Sequence, residues 1–420
     1  MDRRQFLTSS ALIAGASMVA SPMVSFANTS RAPDDEDFWK IIRNQYNVTN
    51  KITNMEAGYW GIMSIPVTQA YIRNTHFVNS NNTYYVRREY NQDYNKIIER
   101  IAKKLGVGAD ELVLTRNATE AMSSLINGYN KLEEGDTVIY ADQDYGSMQS
   151  EMRYLRKYRG VDVVEIAAPE PASKQDMIDA YEKALNDHPK CKMILLTHVS
   201  NRTGIINPVK EITAMAKARG VDVLLDAAHS WGQFDFDFQD LGVDFVGFNM
   251  HKWIGVPLGV GLLYIRKNRV LDIDPIRGEA GPENDNVRTR IHTGTVNFAS
   301  VLTVPDALDF RENIGQKNIE GRVRALRNQW VGQVRDNKMV EILTPDDETM
   351  HAAITSFRIK GRTSYEDNAE LMKTLHEKYG VFTVAIGGLA NGGAIRVSPA
   401  LYNSREDADK LAAAINDITS

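Results

Sequence analysis

Two residues 26 positions apart carry the chemistry available to this chain: Asp226 in LLDAAHSWG and Lys252 in FVGFNMHKWIGVPLGVG. Each closes or follows an apolar run, where a charged side chain needs a partner or a shifted pKa. A lysine that loses its proton near neutrality is a competent amine for a Schiff base, and a carboxylate can keep a pyridine nitrogen protonated. Together they answer the two demands of a pyridoxal phosphate site, an amine that holds the aldehyde and an acid that makes the ring an electron sink. Taken singly, Lys252 reads as a surface lysine with its head in water, and Asp226 as a helix cap or turn residue.

Other segments supply the remaining parts. Asn117-Ala118-Thr119-Glu120 follows an apolar run and opens a helical pattern. Free N–H groups at a helix start, with the Thr119 hydroxyl, suit a phosphate, and the same residues also read as a plain capping box. Tyr145 follows the next run, where its ring could stack on a planar cofactor or simply lie in an exposed loop. His229, three residues past Asp226, offers a donor near a ring oxygen, while Asn201 in HVSNRTG is a turn or a substrate and cofactor edge. Arg396 lies inside the apolar pattern GGAIRVS, where a half-buried guanidinium implies a carboxylate ligand or a structural salt bridge. The glycines 255, 259 and 261 precede a strand pattern instead of a helix, which excludes a nucleotide loop. His198, His229 and His251 lack the spacing of a metal-ligand set, so no metal is expected.

These residues must be held by elements that bring strand ends together. Between residues 63 and 300, β-rich apolar runs at 112–115, 137–140, 161–166, 193–197, 221–226, 245–249 and 259–265 alternate with helical patterns. Strands buried on both faces and separated by helices predict an α/β domain with a mainly parallel, seven-stranded sheet, binding ligands at the carboxyl ends of its strands. Residues 301–420 change pattern, with a helical stretch at 307–336, strands at 354–359, 381–385 and 394–398, and helices at 365–379 and 404–418. That is a smaller α+β domain. Residues 28–62 read as an N-terminal arm and loop containing Asn54 in ITNMEAGYWG.

The formal net charge of −5, without any long basic run, gives no footprint for nucleic acid and directs attention to a small-molecule partner. Residues 1–27 differ from the rest: Arg3-Arg4, an apolar run at 11–20, and Ser25-Phe26-Ala27 as a cleavage site. They resemble a twin-arginine signal peptide. The apolar run is too short for a stable membrane anchor, so passage through the twin-arginine export machinery to the periplasm is expected. The one cysteine, Cys191, excludes an intramolecular disulfide.

The DAAH segment, the NMHKW segment at its distance, and RVSPALYNSRED near the carboxyl end resemble the class V aminotransferase family of fold-type I pyridoxal phosphate enzymes. The likeness runs from Asn54 to the closing helix. It implies that Lys252 holds pyridoxal 5′-phosphate, that Asp226 meets the pyridine nitrogen, and that Tyr145 stacks on the ring. Thr119, with Ala118, Asn249 and His251, would hold the phosphate, His229 and Asn201 would lie near the phenolic oxygen, and Arg396 would bind a substrate carboxylate with Asn54 as a further substrate residue. Thr295 resembles a turn residue that reaches the phosphate across a dimer interface, which implies a homodimer. TRNATEA, DQDYG and HKW are similar to the isopenicillin N epimerase-like branch, and exported members of that branch include a periplasmic enzyme of pyoverdine maturation. The implied substrate is an amino acid or a peptide-like metabolite, with amino transfer and epimerisation both open. Cysteine desulfurases of this fold carry a loop cysteine shortly before the position of Arg396. Here that loop is LANGG, which disfavours desulfuration.

Overall fold

The computed structural model describes residues 29–292 and 294–420; the expected signal segment and Thr293 lie outside the described residues. Strands β1 (Thr53–Asn54) to β8 (Gly261–Ile265) include, between them, β2 (Leu112–Thr115), β3 (Thr137–Ala141), β4 (Asp162–Ile166), β5 (Cys191–Thr197), β6 (Asp222–Asp226) and β7 (Phe245–Asn249). Seven of these form one sheet in the order β2-β8-β7-β6-β5-β3-β4. The β7-β6-β5-β3-β4 run is parallel, and β8 is antiparallel to both neighbours. The mainly parallel sheet expected from the sequence is therefore present. The antiparallel β8 follows from its short approach: only a loop joins β7 to β8, whereas a parallel return needs a longer crossover, usually through a helix.

Successive residues feed two cores, one on each face. In β6, Val223 and Leu225 enter one apolar cluster and Leu224 the other; β7 and β8 alternate in the same way, with Phe248 and Leu262 opposite Phe245 and Leu263. The edge strand β4 is only partly buried, matching its more polar sequence.

The remaining strands are β9 (Val340–Ile342), β10 (Thr355–Ile359), β11 (Val381–Phe382), β12 (Val384–Ile386) and β13 (Ala394–Val397). An antiparallel sheet, β12-β13-β10-β9, packs against the helices Gln316–Val334, Tyr365–Tyr379 and Arg405–Ile418 through Trp330, Phe357, Leu375 and Leu411. Two local readings change here. The helical stretch expected at 307–336 is two helices, Val304–Ile314 and Gln316–Val334, because Gly315 between them has φ 90°. The single strand expected at 381–385 divides at Thr383, since β11 pairs in parallel with β1 while β12 pairs with β13.

That parallel pairing threads the arm into the C-terminal sheet region. Met55 N–H donates to the Phe382 carbonyl at 3.0 Å, and the Met55 carbonyl accepts from Ser398 N–H at 2.8 Å. Residues 56–60 are thereby carried from this sheet region toward the carboxyl ends of the large sheet.

Gly261 sets a second close approach. A Cβ there would stand 2.7 Å from the Phe248 carbonyl oxygen and 2.6 Å from the Asn117 carbonyl carbon, so β8 lets the start of the helix Ala118–Gly128 lie on the end of β7. Gly261→Ala is expected to destabilise the protein by roughly 1–3 kcal/mol through this overpacking. Urea unfolding monitored by circular dichroism measures it; an unchanged midpoint would show that the backbone there can yield.

Candidate active site

A cavity of about 250 Å³ opens at the carboxyl ends of the large sheet. Every residue expected at the site lines it except Asn54 and Thr295. Parallel pairing explains the convergence: Thr197 at the end of β5 is the register partner of Asp226 at the end of β6. Asn249 ends β7, and Lys252 follows it by three residues.

Lys252 Nζ lies 2.9 Å from His229 Nε2, and Trp253 Nε1 donates to His229 Nδ1 at 3.2 Å. An indole N–H can only donate, so Nδ1 must accept, and the neutral imidazole carries its proton on Nε2. That N–H then points at Lys252, which can accept it only as an uncharged amine. Burial pulls the lysine pKa down to about 8; Asp226 and Glu56 oppose the shift and Arg396 adds to it. Burial also holds His229 well below its ordinary value, with Lys252, Arg396 and His251 contributing in the same direction, which keeps the imidazole neutral.

Asp226 is buried at the strand end, and its Oδ1 accepts from Ala228 N–H at 2.9 Å. Burial raises its pKa, while that hydrogen bond and the charge on Lys252 lower it. Behind it stands a second buried carboxylate, Asp144, the neighbour of Tyr145 just beyond β3. Asp144 accepts from the Thr197 hydroxyl at 2.6 Å, Thr197 N–H at 3.0 Å and Ala141 N–H at 2.7 Å, clamping the end of β3 to the end of β5. Burial pushes it up to about 7, and Asp226 adds to the rise. Tyr145 itself is on the cavity wall and 41% exposed, so it stands at the mouth.

The start of the helix Ala118–Gly128 faces the cavity, and Asn117 caps it by accepting from Glu120 N–H at 2.8 Å. Ala118 N–H donates to Asn249 Oδ1 at 2.8 Å, so these two hold each other and fix the helix start against β7. Thr119 offers its N–H and hydroxyl at the same end. His251 Nδ1 is 3.1 Å from the Val260 carbonyl, which makes Nδ1 the donor and leaves Nε2 as the acceptor of the neutral ring.

Asn54 supports the cavity without lining it: its Oδ1 accepts from Glu56 N–H at 3.0 Å, and its carbonyl accepts from Asn403 Nδ2 at 2.8 Å. Thr295 is exposed and outside the cavity of its own chain. Arg396 reaches the cavity, but Glu56 holds its guanidinium, with Nη2 donating to Oε1 at 2.8 Å and Nε donating to Oε2 at 3.2 Å. The sequence reading did not single out Glu56. The available signal was an acidic residue inside the otherwise uncharged NMEAGYWG segment, with nothing local to name its partner.

The donor set fits pyridoxal phosphate. A buried carboxylate, a buried amine of lowered pKa facing a neutral imidazole, and a helix start with a threonine hydroxyl enclose one cavity. Asn201 Oδ1 is buried without a hydrogen-bond partner, an unmet acceptor that a bound molecule can fill. Cys191 lies at the far end of β5 from Thr197, roughly 20 Å away along the strand. It is buried, and burial raises its thiol to about 12.

An α/β chain with this sheet and lysine is a fold-type I pyridoxal phosphate enzyme, with pyridoxal 5′-phosphate as its cofactor. The chain belongs to the aminotransferase class-V family, which it matches over residues 65–411. It is 26% identical over 338 residues to isopenicillin N epimerase of Streptomyces clavuligerus, covering 76% of this chain and 83% of the relative. It is also 26% identical over 379 residues to a cysteine desulfurase of Haloferax volcanii, covering 83% and 85%. In fold it is similar to the apo cysteine desulfurase of Thermococcus onnurineus NA1, with TM-score 0.78 and 20% identity over 93% of this chain and 99% of that one.

The depressed lysine has a measurable consequence. Capture of pyridoxal phosphate by the apo-protein, trapped with borohydride at short times, should rise with pH and reach half its maximum near the Lys252 pKa of about 8. Half-maximal capture near the ordinary lysine value of about 10.4 would place the amine in water instead.

Proposed function

We propose that this protein is an exported, homodimeric enzyme acting at the amine-bearing carbon of an amino acid or peptide-like metabolite, in the manner of an aminotransferase or epimerase. The observation that carries the reading is the Trp253–His229–Lys252 chain, which turns an N–H toward the lysine and so favours its uncharged form beside Asp226. Bound pyridoxal phosphate supplies an electron sink that makes the Cα–H bond of a captured amine acidic. Asp226 provides the buried negative charge that favours a protonated pyridine nitrogen. Lys252, once released, is placed to take a proton at Nζ and return it, with His229 Nε2 able to steady the amine during the exchange. Tyr59, Trp60 and Tyr145 stand at the mouth and can shield this exchange from water when a substrate lies across them.

Both epimerases and cysteine desulfurases are among the relatives, so the placement of the thiol bears on the choice between these readings. A desulfurase acting through a protein cysteine needs an accessible thiol at the cavity. Cys191, the chain's one cysteine, is buried at the far end of β5. That favours proton chemistry at Cα over sulfur transfer. The export reading is supported by Arg3-Arg4, the apolar run and Ser25-Phe26-Ala27, and the dimer reading by Thr295, which is exposed and outside its own chain's cavity.

Purified protein should show a cofactor absorbance band that borohydride reduces onto Lys252 and that Lys252→Ala abolishes. In deuterium oxide, mass spectrometry should find label at Cα of a turned-over substrate; label without amine loss marks epimerisation, and a pyridoxamine product marks amino transfer. Sulfide release from cysteine, undiminished in Cys191→Ala and without Cα labelling of any substrate, would overturn this reading.

Replacing Arg3 and Arg4 by lysine should leave the protein in the cytoplasm with its amino-terminal segment intact. Cell fractionation checks this, and unchanged fractionation would remove export from the proposal. Sedimentation of the purified protein as a monomer would likewise remove the dimer.

A further inference from the structure

Arg396 is the cationic group best placed to draw a substrate carboxylate into the cavity, and its carboxylate-binding edge is already occupied. Glu56 takes Nε and Nη2 side by side, and both side chains are only 3% exposed. The same carboxylate accepts from Ser398 Oγ at 2.9 Å and from Tyr59 N–H at 2.8 Å, so four donors hold it in place. Arg396 Nη1 donates to the Asn201 carbonyl at 2.8 Å, and the guanidinium lies over the Tyr59 ring, 4.9 Å from its centre. A Cβ at Gly58 would come within 2.8 Å of the guanidinium carbon, so the backbone closes on the pair from the remaining side.

A buried arginine matched by a buried glutamate presents no net charge to a ligand. A second carboxylate entering here would gain only the N–H groups that Glu56 leaves free and would meet the Glu56 charge at close range in a site shielded from water. A neutral amide has no such conflict. Its carbonyl can accept from the free Arg396 hydrogens, and Asn201, whose main-chain carbonyl takes Arg396 Nη1 and which lines the same cavity, has a buried Oδ1 without a partner that can accept its N–H. The rim outside is aromatic, with Tyr59 55% and Trp60 58% exposed, and gives a longer chain a surface to lie on.

We infer that Glu56 is a specificity-determining residue: by neutralising Arg396 it fits the site to an amine whose neighbouring carboxyl group is tied up in an amide, as at the amino end of a peptide-like metabolite. This rests on the reading that Lys252 captures a substrate amine, and it narrows the substrate class of that reading. Free α-amino acids are disfavoured by the same pair.

The test is a spectral titration of the holoenzyme with L-alanine, L-alaninamide and L-alanyl-L-alanine, which share one Cα and one amine and differ at the carboxyl group. The wild-type protein should respond to the amide and the dipeptide at lower concentration than to alanine. Glu56→Gln, which keeps the shape and frees Arg396, should shift the alanine-to-alaninamide ratio toward alanine roughly tenfold, as expected for a charge-assisted hydrogen-bonded pair. Comparing the ratio between the two proteins cancels the intrinsic difference in amine basicity. An unchanged ratio overturns the inference, as does a cofactor band on Lys252 that none of the three amines perturbs. If Glu56→Gln does not fold, the wild-type protein decides: propionate should compete with alaninamide no better than propionamide does, and stronger competition by propionate overturns the inference. Absence of any borohydride-reducible cofactor on Lys252 is a different failure, that of the underlying reading.

Discussion

A lysine amine gives up its proton within reach of neutral pH only if it is withdrawn from water and denied an acceptor for its extra proton. Most of the molecule around Lys252 answers that demand. The parallel sheet carries the residue to a point where strand ends, the start of the helix Ala118–Gly128 and the arm exclude solvent. Trp253 then fixes the tautomer of His229, so that the atom nearest the amine is a donor. Asp226 and Glu56 pull the other way, and burial outweighs them. The amine is thus poised by opposing contributions, which makes it sensitive to the charge of whatever enters the cavity.

The second dependency is the path of residues 53–60. β1 is short, and its role is to anchor the chain beside β11 so that the following residues run along Ser398 into the cavity. Glu56, Gly58 and Tyr59 each touch Arg396 from this segment. The cavity is therefore built jointly by the large sheet, whose strand ends supply Thr197, Asp226 and Asn249, and by the arm and β13, which supply Gly58, Tyr59 and Arg396.

The sequence exposes the first contribution far better than the second. Asp226 and Lys252 are legible because each stands at or just beyond the end of an apolar run, and parallel strands deliver such ends to one place. Ala118 and Thr119 are legible as a helix start. By contrast, the Glu56 and Arg396 pair joins residues 340 positions apart, and no periodicity encodes such a partner. The hydrogen bond between Ala118 N–H and Asn249 Oδ1 is likewise invisible in the sequence, because it joins a helix start to a strand end 131 residues away. The break at Gly315 and the division at Thr383 escaped for a related reason. One is a single backbone dihedral within a helical pattern, and the other a change of pairing partner within an apolar run.

The arm's pairing also orders events in time. Thr53 pairs with Val381, and Ala57 N–H donates to the Ser398 carbonyl, so the Arg396 side of the cavity joins segments more than 300 residues apart in sequence. Ribosomal synthesis delivers these partners last, after the large sheet can already have formed. The wall of the cavity that carries Arg396 therefore closes only after every strand of the large sheet has been made.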